Sequence, residues 1–345
     1  MKLGLMLGIS GASDPAGTLE LTHEAERLGY SSVWAAEAYG YDAATVLAWL
    51  AGQTSAIDLG SAILQIPGRT PAMTAMTAAG LNALSNGRFR LGVGVSGPQV
   101  SEGWHGVPFK APLGRTREYV KILTLALSGQ PVQFDGRHFQ LPLPTPEAKA
   151  LRSAAKVRDI PPIYLAAVGP KNLELAGEIA DGWLGVFFSP EQAELSLGPL
   201  RSGRPGGSLD GFDVVPTVPV ALGPDTSRCA DLVRGYTALY VGGMGSRENN
   251  FYNALAHRLG FAQEADTVQN LYLAKQHREA AAAVPEDLIR QTSLVGGDER
   301  VIDRLQAYAQ SGVTTLAVSL FNPTQEGKLN DLRHLAELLD HAGVA

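Results

Sequence analysis

Short apolar runs alternate with amphipathic stretches along this chain of 345 residues. The apolar runs are nearly continuous, which is typical of parallel strands buried on both faces. The stretches between them carry helical stripes such as Tyr119, Ile122 and Leu123, so we predict eight β–α alternations. The predicted strands are 2–9, 31–36, 58–65, 89–95, 161–167, 182–188, 212–222 and 314–320.

Eight alternations favour a (β/α)8 TIM barrel, and an open doubly wound sheet is the alternative. Two segments interrupt the pattern. Residues 130–160 are rich in proline around a predicted hairpin at 132–141, and residues 223–313 form a long, mainly helical excursion. We interpret them as insertions after strands four and seven of a single domain, 1–345. We expect the Gly-, Pro- and Ser-rich residues 198–211 to form a surface loop.

Composition narrows the class of protein. The chain is 45% hydrophobic and 18% charged, which allows a large core, and its net charge of −6 indicates neither a nucleic-acid nor a membrane partner. A single cysteine, Cys229, excludes an intramolecular disulfide. No apolar run reaches the roughly 20 residues of a membrane span, and the first residues do not resemble a signal peptide. We expect a soluble, cytoplasmic protein.

In such barrels the active site lies at the carboxyl ends of the strands. The residues that follow the predicted strands are small, polar and aromatic. They show no metal-ligand spacing, no nucleophile elbow and no paired carboxylates, so we predict no metal site. A rim without its own acid–base array indicates that a bound cofactor carries the chemistry.

Two segments are candidate ligand contacts. Strand four and its loop lack side chains at Gly92, Gly94 and Gly97, and glycine in a strand often marks the close approach of another group. At 168–172 a strand ends in a Gly-Pro turn and a helix begins at about Pro170. Free N–H groups and the helix dipole there would hold a phosphate, and a plain βα loop is the alternative.

Several motifs resemble the bacterial luciferase-like superfamily. The resemblance is closest to its branch that uses the deazaflavin coenzyme F420, which includes methylenetetrahydromethanopterin reductase. It runs from strand one to about residue 188 and resumes at 294–321. The motifs are Glu37-Ala38-Tyr39-Gly40, Ile66-Pro67-Gly68-Arg69-Thr70-Pro71, residues 86–94 and residues 176–183.

The resemblance implies that coenzyme F420, with FMN as the alternative, binds at the strand ends. It places a non-prolyl cis peptide bond at Ala62-Ile63, for which an ordinary trans strand is the alternative. The ring would border the loop 95–99, and the phosphate would bind at 167–172. The implied cofactor-binding residues are Ser10, Ala62, Ile63, Val95, Ser96, Gly97, Gln99, Ala167, Val168, Gly169, Pro170, Lys171 and Asn172.

The resemblance also suggests catalytic residues. Glu37 falls beside the reactive ring carbon, where an apolar mouth would raise the pKa of its carboxyl group and allow proton transfer. The alternative is an exposed or arginine-paired glutamate. His105 is a second candidate acid or a surface histidine, and Trp104 could cover the ring. Arg115 and Arg117 would pair with an acidic coenzyme tail or with nearby carboxylates.

The implied function is an F420-dependent oxidoreductase that transfers a hydride between C5 of the deazaflavin and a small organic substrate. The alternatives are an FMN-dependent monooxygenase and a catalytically silent flavin-binding barrel. The resemblance further implies a homodimer.

Overall fold

The computed structural model describes residues 1–8 and 14–345, so Ser10 and the end of the predicted strand 2–9 lie outside it. The strands, in chain order, are β1 (Lys2–Leu7), β2 (Ser32–Ala35), β3 (Asp58–Ser61), β4 (Leu64–Gln65), β5 (Phe89–Gly94), β6 (Phe134–Asp135), β7 (Gln140–Leu141), β8 (Ile163–Ala166), β9 (Gly182–Val186), β10 (Asp213–Leu222), β11 (Leu294–Gly296) and β12 (Thr315–Leu320).

The helices surround these strands. They are α1 (Pro15–Arg27), α2 (Ala43–Ala51), α3 (Pro71–Leu84), α4 (Pro112–Leu127), α5 (Pro170–Ile179), α6 (Glu194–Gly203), α7 (Thr226–Ala238), α8 (Phe251–Arg258), α9 (Ala262–Leu273), α10 (His277–Ala282), α11 (Glu286–Thr292), α12 (Asp298–Gln310) and α13 (Gln325–Ala342). Within the described ranges, every helix is too short or too polar to cross a membrane.

The sheet closes on itself. The first strand, β1, pairs in parallel with both β2 and β12, and β10 pairs in parallel with both β9 and β12. The predicted (β/α)8 barrel is therefore confirmed and the open sheet is excluded. Inside the barrel the rings of Trp34 and Tyr164 meet edge to face at 5.1 Å, and they fill its centre together with Leu184, Val215 and Ala317.

Both predicted insertions are present. The antiparallel pair β6–β7 forms the predicted hairpin, which follows β5 and helix α4. Residues 223–313 form helices α7 to α12. Helices α7 to α11 pack around a second core, whereas α12 packs Val301, Leu305 and Tyr308 into the main core of the barrel. The same insertion also contains β11, which pairs with β10 and was not predicted, because three residues are too short to show a strand period.

The expected loop at 198–211 is partly wrong. Residues 198–203 complete helix α6, despite Pro199. A Cβ atom on Gly177 would lie 2.0 Å from the Leu200 oxygen, and one on Gly203 would lie 1.9 Å from the Glu174 oxygen. These glycines therefore serve the close packing of α5 against α6 rather than a turn.

Candidate active site

A cavity of about 680 Å³ opens at the carboxyl ends of the barrel strands. Most of its lining is apolar, with a few polar groups at the edges, which is typical of a cofactor site. It collects most of the residues implied by the resemblance: Glu37, Ala62, Ile63, Val95, Ser96, Gly97, Gln99, Ala167, Val168, Gly169, Pro170, Lys171 and Asn172.

Small side chains form one part of the lining. The Ala62-Ile63 peptide bond is cis, as predicted, and both residues line the cavity between β3 and β4. Ala166 lines it as well. Gly94 also faces it, and a Cβ atom there would lie 3.0 Å from Ile63 Cδ1. This surface leaves room for a flat group.

The glycines of β5 and of the loop that follows it have different roles. A Cβ atom on Gly92 would lie 1.9 Å from the Ser61 backbone oxygen, so this glycine allows two strands to approach and does not face a ligand. The expectation of a ligand at Gly92 is therefore wrong, whereas Gly94 and Gly97 do line the cavity. Between them, Ser96 has a left-handed backbone with φ of 57°, which is unfavourable for a residue other than glycine.

Helix α5 begins at the cavity wall. Gly169 precedes its first residue, Pro170, and no side chain caps the helix there. Lys171 lies exposed beside this end, and the side-chain oxygen of Asn172 is buried without a hydrogen-bond partner. Uncapped N–H groups and a nearby cation can hold an anion, and the Asn172 oxygen is free to accept a bond from a hydroxyl group.

Glu37 lies at the mouth, but it is not an isolated carboxyl group. Arg69 donates to Glu37 Oε2 at 2.5 Å and to Oε1 at 2.8 Å. The backbone N–H groups of Ala43 and Gln65 also donate to it, at 3.2 and 3.1 Å. The expectation of an unpaired acid in an apolar mouth is thus wrong, and the arginine-paired alternative describes the geometry.

His105 lies beside this network rather than in the cavity. Its Nε2 atom is 2.6 Å from Gln65 Oε1, and the amide nitrogen of Gln65 donates to the backbone oxygens of Glu37 and Ala38. The half-buried imidazole does not line the cavity, so the alternative of a satisfied histidine fits it better. Trp104 is 64% exposed and does not cover the cavity either.

Neither arginine at the start of α4 reaches the cavity. Arg117 pairs with Glu178, and the Arg115 guanidinium stacks 5.1 Å from the Phe139 ring centre. The structure therefore places them in contacts with neighbouring side chains and not at a coenzyme tail.

A second cavity, of about 410 Å³, adjoins the first. The two cavities share the lining residues Ala36, Ala62, Val186, Thr217 and Tyr240. The second cavity is more polar, because Ser319, Gln325 and Lys328 also contribute to its lining. The site therefore has two compartments that meet at Ala62 and Tyr240.

An aromatic cluster from the 223–313 insertion covers the junction. Tyr236 and Tyr240 have ring centres 4.6 Å apart, and Tyr252 lies 4.8 Å from Tyr240. Phe187 contacts all three from the end of β9, with a left-handed φ of 52°. These residues were not predicted from the sequence. The one local signal was a pair of tyrosines spaced four apart, with Tyr236 on α7 and Tyr240 in the π-helical turn Leu239–Gly243 that follows it.

Burial raises the pKa of Tyr236, Tyr240 and Tyr252 above the ordinary range, so all three remain protonated near neutral pH. A hydrogen bond joins the first two hydroxyl groups; it raises the pKa of Tyr236 and lowers that of Tyr240.

Most of the barrel matches one protein family. A profile described as luciferase-like monooxygenase matches residues 2–315. The chain belongs to this family. Across residues 1–8 and 14–345, the His, Cys, Asp and Glu side chains form no group of three or more that could hold a metal ion.

Two relatives match most of this chain. A Mycobacterium tuberculosis protein provisionally named coenzyme F420-dependent oxidoreductase is 39% identical over an alignment of 349 residues, which covers 98% of this chain and 99% of the relative. The 5,10-methylenetetrahydromethanopterin reductase of Archaeoglobus fulgidus is 28% identical over 301 residues, with 84% and 85% coverage.

Solved structures agree. The coenzyme F420 dependent tetrahydromethanopterin reductase of Methanopyrus kandleri superimposes with a TM-score of 0.79 at 26% identity and covers 96% of both chains. An F420-dependent secondary alcohol dehydrogenase gives a TM-score of 0.77 over 98% of both chains, but at 18% identity it shows the fold alone. The predicted relationship to luciferase-like, F420-dependent oxidoreductases is confirmed.

Proposed function

We propose that this protein is a coenzyme F420-dependent oxidoreductase that transfers a hydride between C5 of the deazaflavin and a small organic substrate. The observation that carries the proposal is the composition of the larger cavity. It joins small side chains, suited to a planar ring, to the N-terminus of a ten-residue helix, suited to a phosphate. One relative and one solved structure are F420-dependent by name, which supports the choice of coenzyme.

The residues present fit such a coenzyme. Its ring would lie against Ala62, Ile63 and Ala166, which line the cavity side by side. A hydroxyl group of the chain that joins ring and phosphate would satisfy the buried Asn172 oxygen. The phosphate would then accept bonds from the first N–H groups of α5, and Lys171 would add charge.

The bound deazaflavin would supply a hydride without reacting readily with oxygen, because a carbon replaces N5. The substrate would occupy the more polar second cavity. Tyr240 lines both cavities and would give its hydroxyl proton to the substrate atom that receives the electron pair of the broken π bond. Tyr236 is hydrogen-bonded to Tyr240 and would donate to the phenolate oxygen left behind.

The proposal is tested by titrating the purified protein with oxidised F420 and, separately, with FMN. We expect saturable quenching of the deazaflavin fluorescence and binding of F420 at least about tenfold tighter than that of FMN. A protein that purifies with bound yellow FMN would instead be an FMN-dependent monooxygenase. A protein that binds neither would be a catalytically silent barrel.

We also propose a homodimer formed through α2 and α3. Neither helix contains a charged residue, and they pack side by side. Large apolar side chains lie exposed on them at Trp49, Met73, Met76 and Leu84. An exposed, uncharged face of this kind is typical of an interface, and a second copy of the chain matches it because a twofold interface uses the same patch twice.

A further inference from the structure

A cation from the insertion contacts the loop proposed to bind phosphate. Arg258 is the last residue of α8, and its Nη2 atom donates to the backbone oxygen of Val168 at 3.1 Å. Val168 lines the larger cavity and directly precedes Gly169 at the start of α5. The half-buried guanidinium group of Arg258 therefore lies next to the candidate anion site.

Among the described residues, Arg258 has no carboxylate partner. The half-buried Arg88 and Arg300 have none either, but they donate three and two hydrogen bonds, whereas Arg258 donates only to the Val168 oxygen. Arg69, Arg90 and Arg304 are at least partly buried, and each pairs with a carboxylate. For Arg258 none of the described residues forms an ion pair, and burial lowers its pKa with no acidic group to oppose the effect. A partly buried charge is unfavourable without a partner, so this position suits an anion supplied by a ligand.

We propose that Arg258 binds an anionic group of the coenzyme tail. This inference rests on the proposed function. A guanidinium group has five N–H donors, and the bond to Val168 uses one of them, so a two-point contact with a phosphate or a carboxylate remains available. The tail carries both kinds of group, because a phosphodiester is followed by glutamyl carboxylates. The insertion would thus contribute to coenzyme affinity as well as to the substrate compartment.

Three deazaflavins separate the possible contacts. They are the ring with its ribityl chain alone, the same compound with the phosphodiester and lactyl group, and complete F420 with its glutamates. We expect Arg258→Gln to weaken binding of complete F420 by about 10- to 100-fold and to leave the phosphate-free compound within about twofold. If Arg258→Gln already weakens binding of the compound that ends in the lactyl group, Arg258 contacts the phosphodiester or the lactyl group. If it weakens binding of complete F420 alone, Arg258 contacts the glutamates.

Arg278→Gln is the matched control, because it removes the same charge from an exposed site in the same insertion. It should bind all three compounds like the wild type. An equal loss of all three compounds in Arg258→Gln would mean that Arg258 only positions the loop, and no loss at all would equally overturn the inference. If the wild type binds none of the three, the proposed function itself is wrong.

Discussion

Arg69 and Glu37 form a two-point ion pair at the barrel mouth, with N–O distances of 2.5 and 2.8 Å. Their side chains are only 15% and 10% exposed. Arg69 also pairs with Asp42, the residue that caps α2. Burial lowers the pKa of Arg69, but the bonds and charge of Glu37, the charge of Asp42 and Tyr119 together outweigh it and raise the pKa. Together with Asp42, the pair therefore connects the loop after β2, the loop after β4 and helix α2.

Glu37→Gln should therefore act mainly on stability. An amide keeps the size but loses the charge-assisted bonds, so we expect the free energy of unfolding to fall by about 2 kcal/mol, as measured by urea denaturation. Glu299→Gln, at an exposed site, should leave it unchanged. Unchanged stability combined with a large loss of turnover would restore Glu37 as a proton donor.

Gly169→Asp should abolish F420 binding without unfolding the protein. No heavy atom lies within 4 Å of the Cβ position, and the φ of −80° suits any residue. The new carboxylate would repel a phosphate at the start of α5, and we expect Kd to rise more than about 100-fold in fluorescence titrations. Gly169→Ala is the steric control and should bind nearly normally. Equal affinities of wild type and Gly169→Asp would place the phosphate elsewhere.

Tyr240→Phe should separate chemistry from binding. Removing the hydroxyl group removes the proposed proton donor, for which we expect single-turnover rates about 10²- to 10³-fold lower with F420 affinity nearly unchanged. Tyr41→Phe is the control, because that ring is exposed. A normal rate in Tyr240→Phe would leave the residue as a wall of the cavity only.

Asp331 should make stability fall as pH rises from about 4 to 6. Burial raises its pKa to about 6, against a hydrogen bond with Asn322 and the charge of His334, and its Oδ2 atom has no partner. In that window the folded state binds more protons than the unfolded state. Asp331→Asn should therefore increase the free energy of unfolding by about 2 kcal/mol at neutral pH and add little below about pH 4.

Urea denaturation across this pH range measures the effect. Asp303→Asn, which changes an exposed carboxyl group, should reproduce the wild-type pH profile. A gain of stability in Asp331→Asn that is the same at both ends of the range would show that the carboxyl group does not titrate as expected.

Leu84→Glu should dissociate the proposed dimer. In a twofold interface the new carboxylate faces the same apolar patch on the second copy, so it would be desolvated without a partner. Light scattering coupled to size-exclusion chromatography should show a monomer. Leu232→Glu, at an exposed leucine on α7, should remain dimeric. A monomeric wild type would refute the interface directly.

The barrel could be predicted from the sequence because its strands are buried apolar runs that alternate with amphipathic helices. The start of helix α5 in the 167–172 loop could also be predicted, because the Gly169-Pro170 pair marks a helix start within a few residues of sequence. The pairing of Glu37 was not, because Arg69 lies 32 residues further along the chain and only the closed barrel brings the two together. Tyr240 was missed because the insertion folds around its own core, so its exposure to the cavity has no local signal.

The bond between Arg258 and the Val168 oxygen has a consequence for engineering. Loop exchange between relatives is a common way to alter substrate choice, and residues 223–313 look like a module suited to it. Arg258 of α8 donates a hydrogen bond to the loop between β8 and α5. A transplanted module that lacks this arginine would therefore change the proposed phosphate site as well as the proposed substrate cavity. A chimaera should therefore keep Arg258 and the loop it contacts from the same parent.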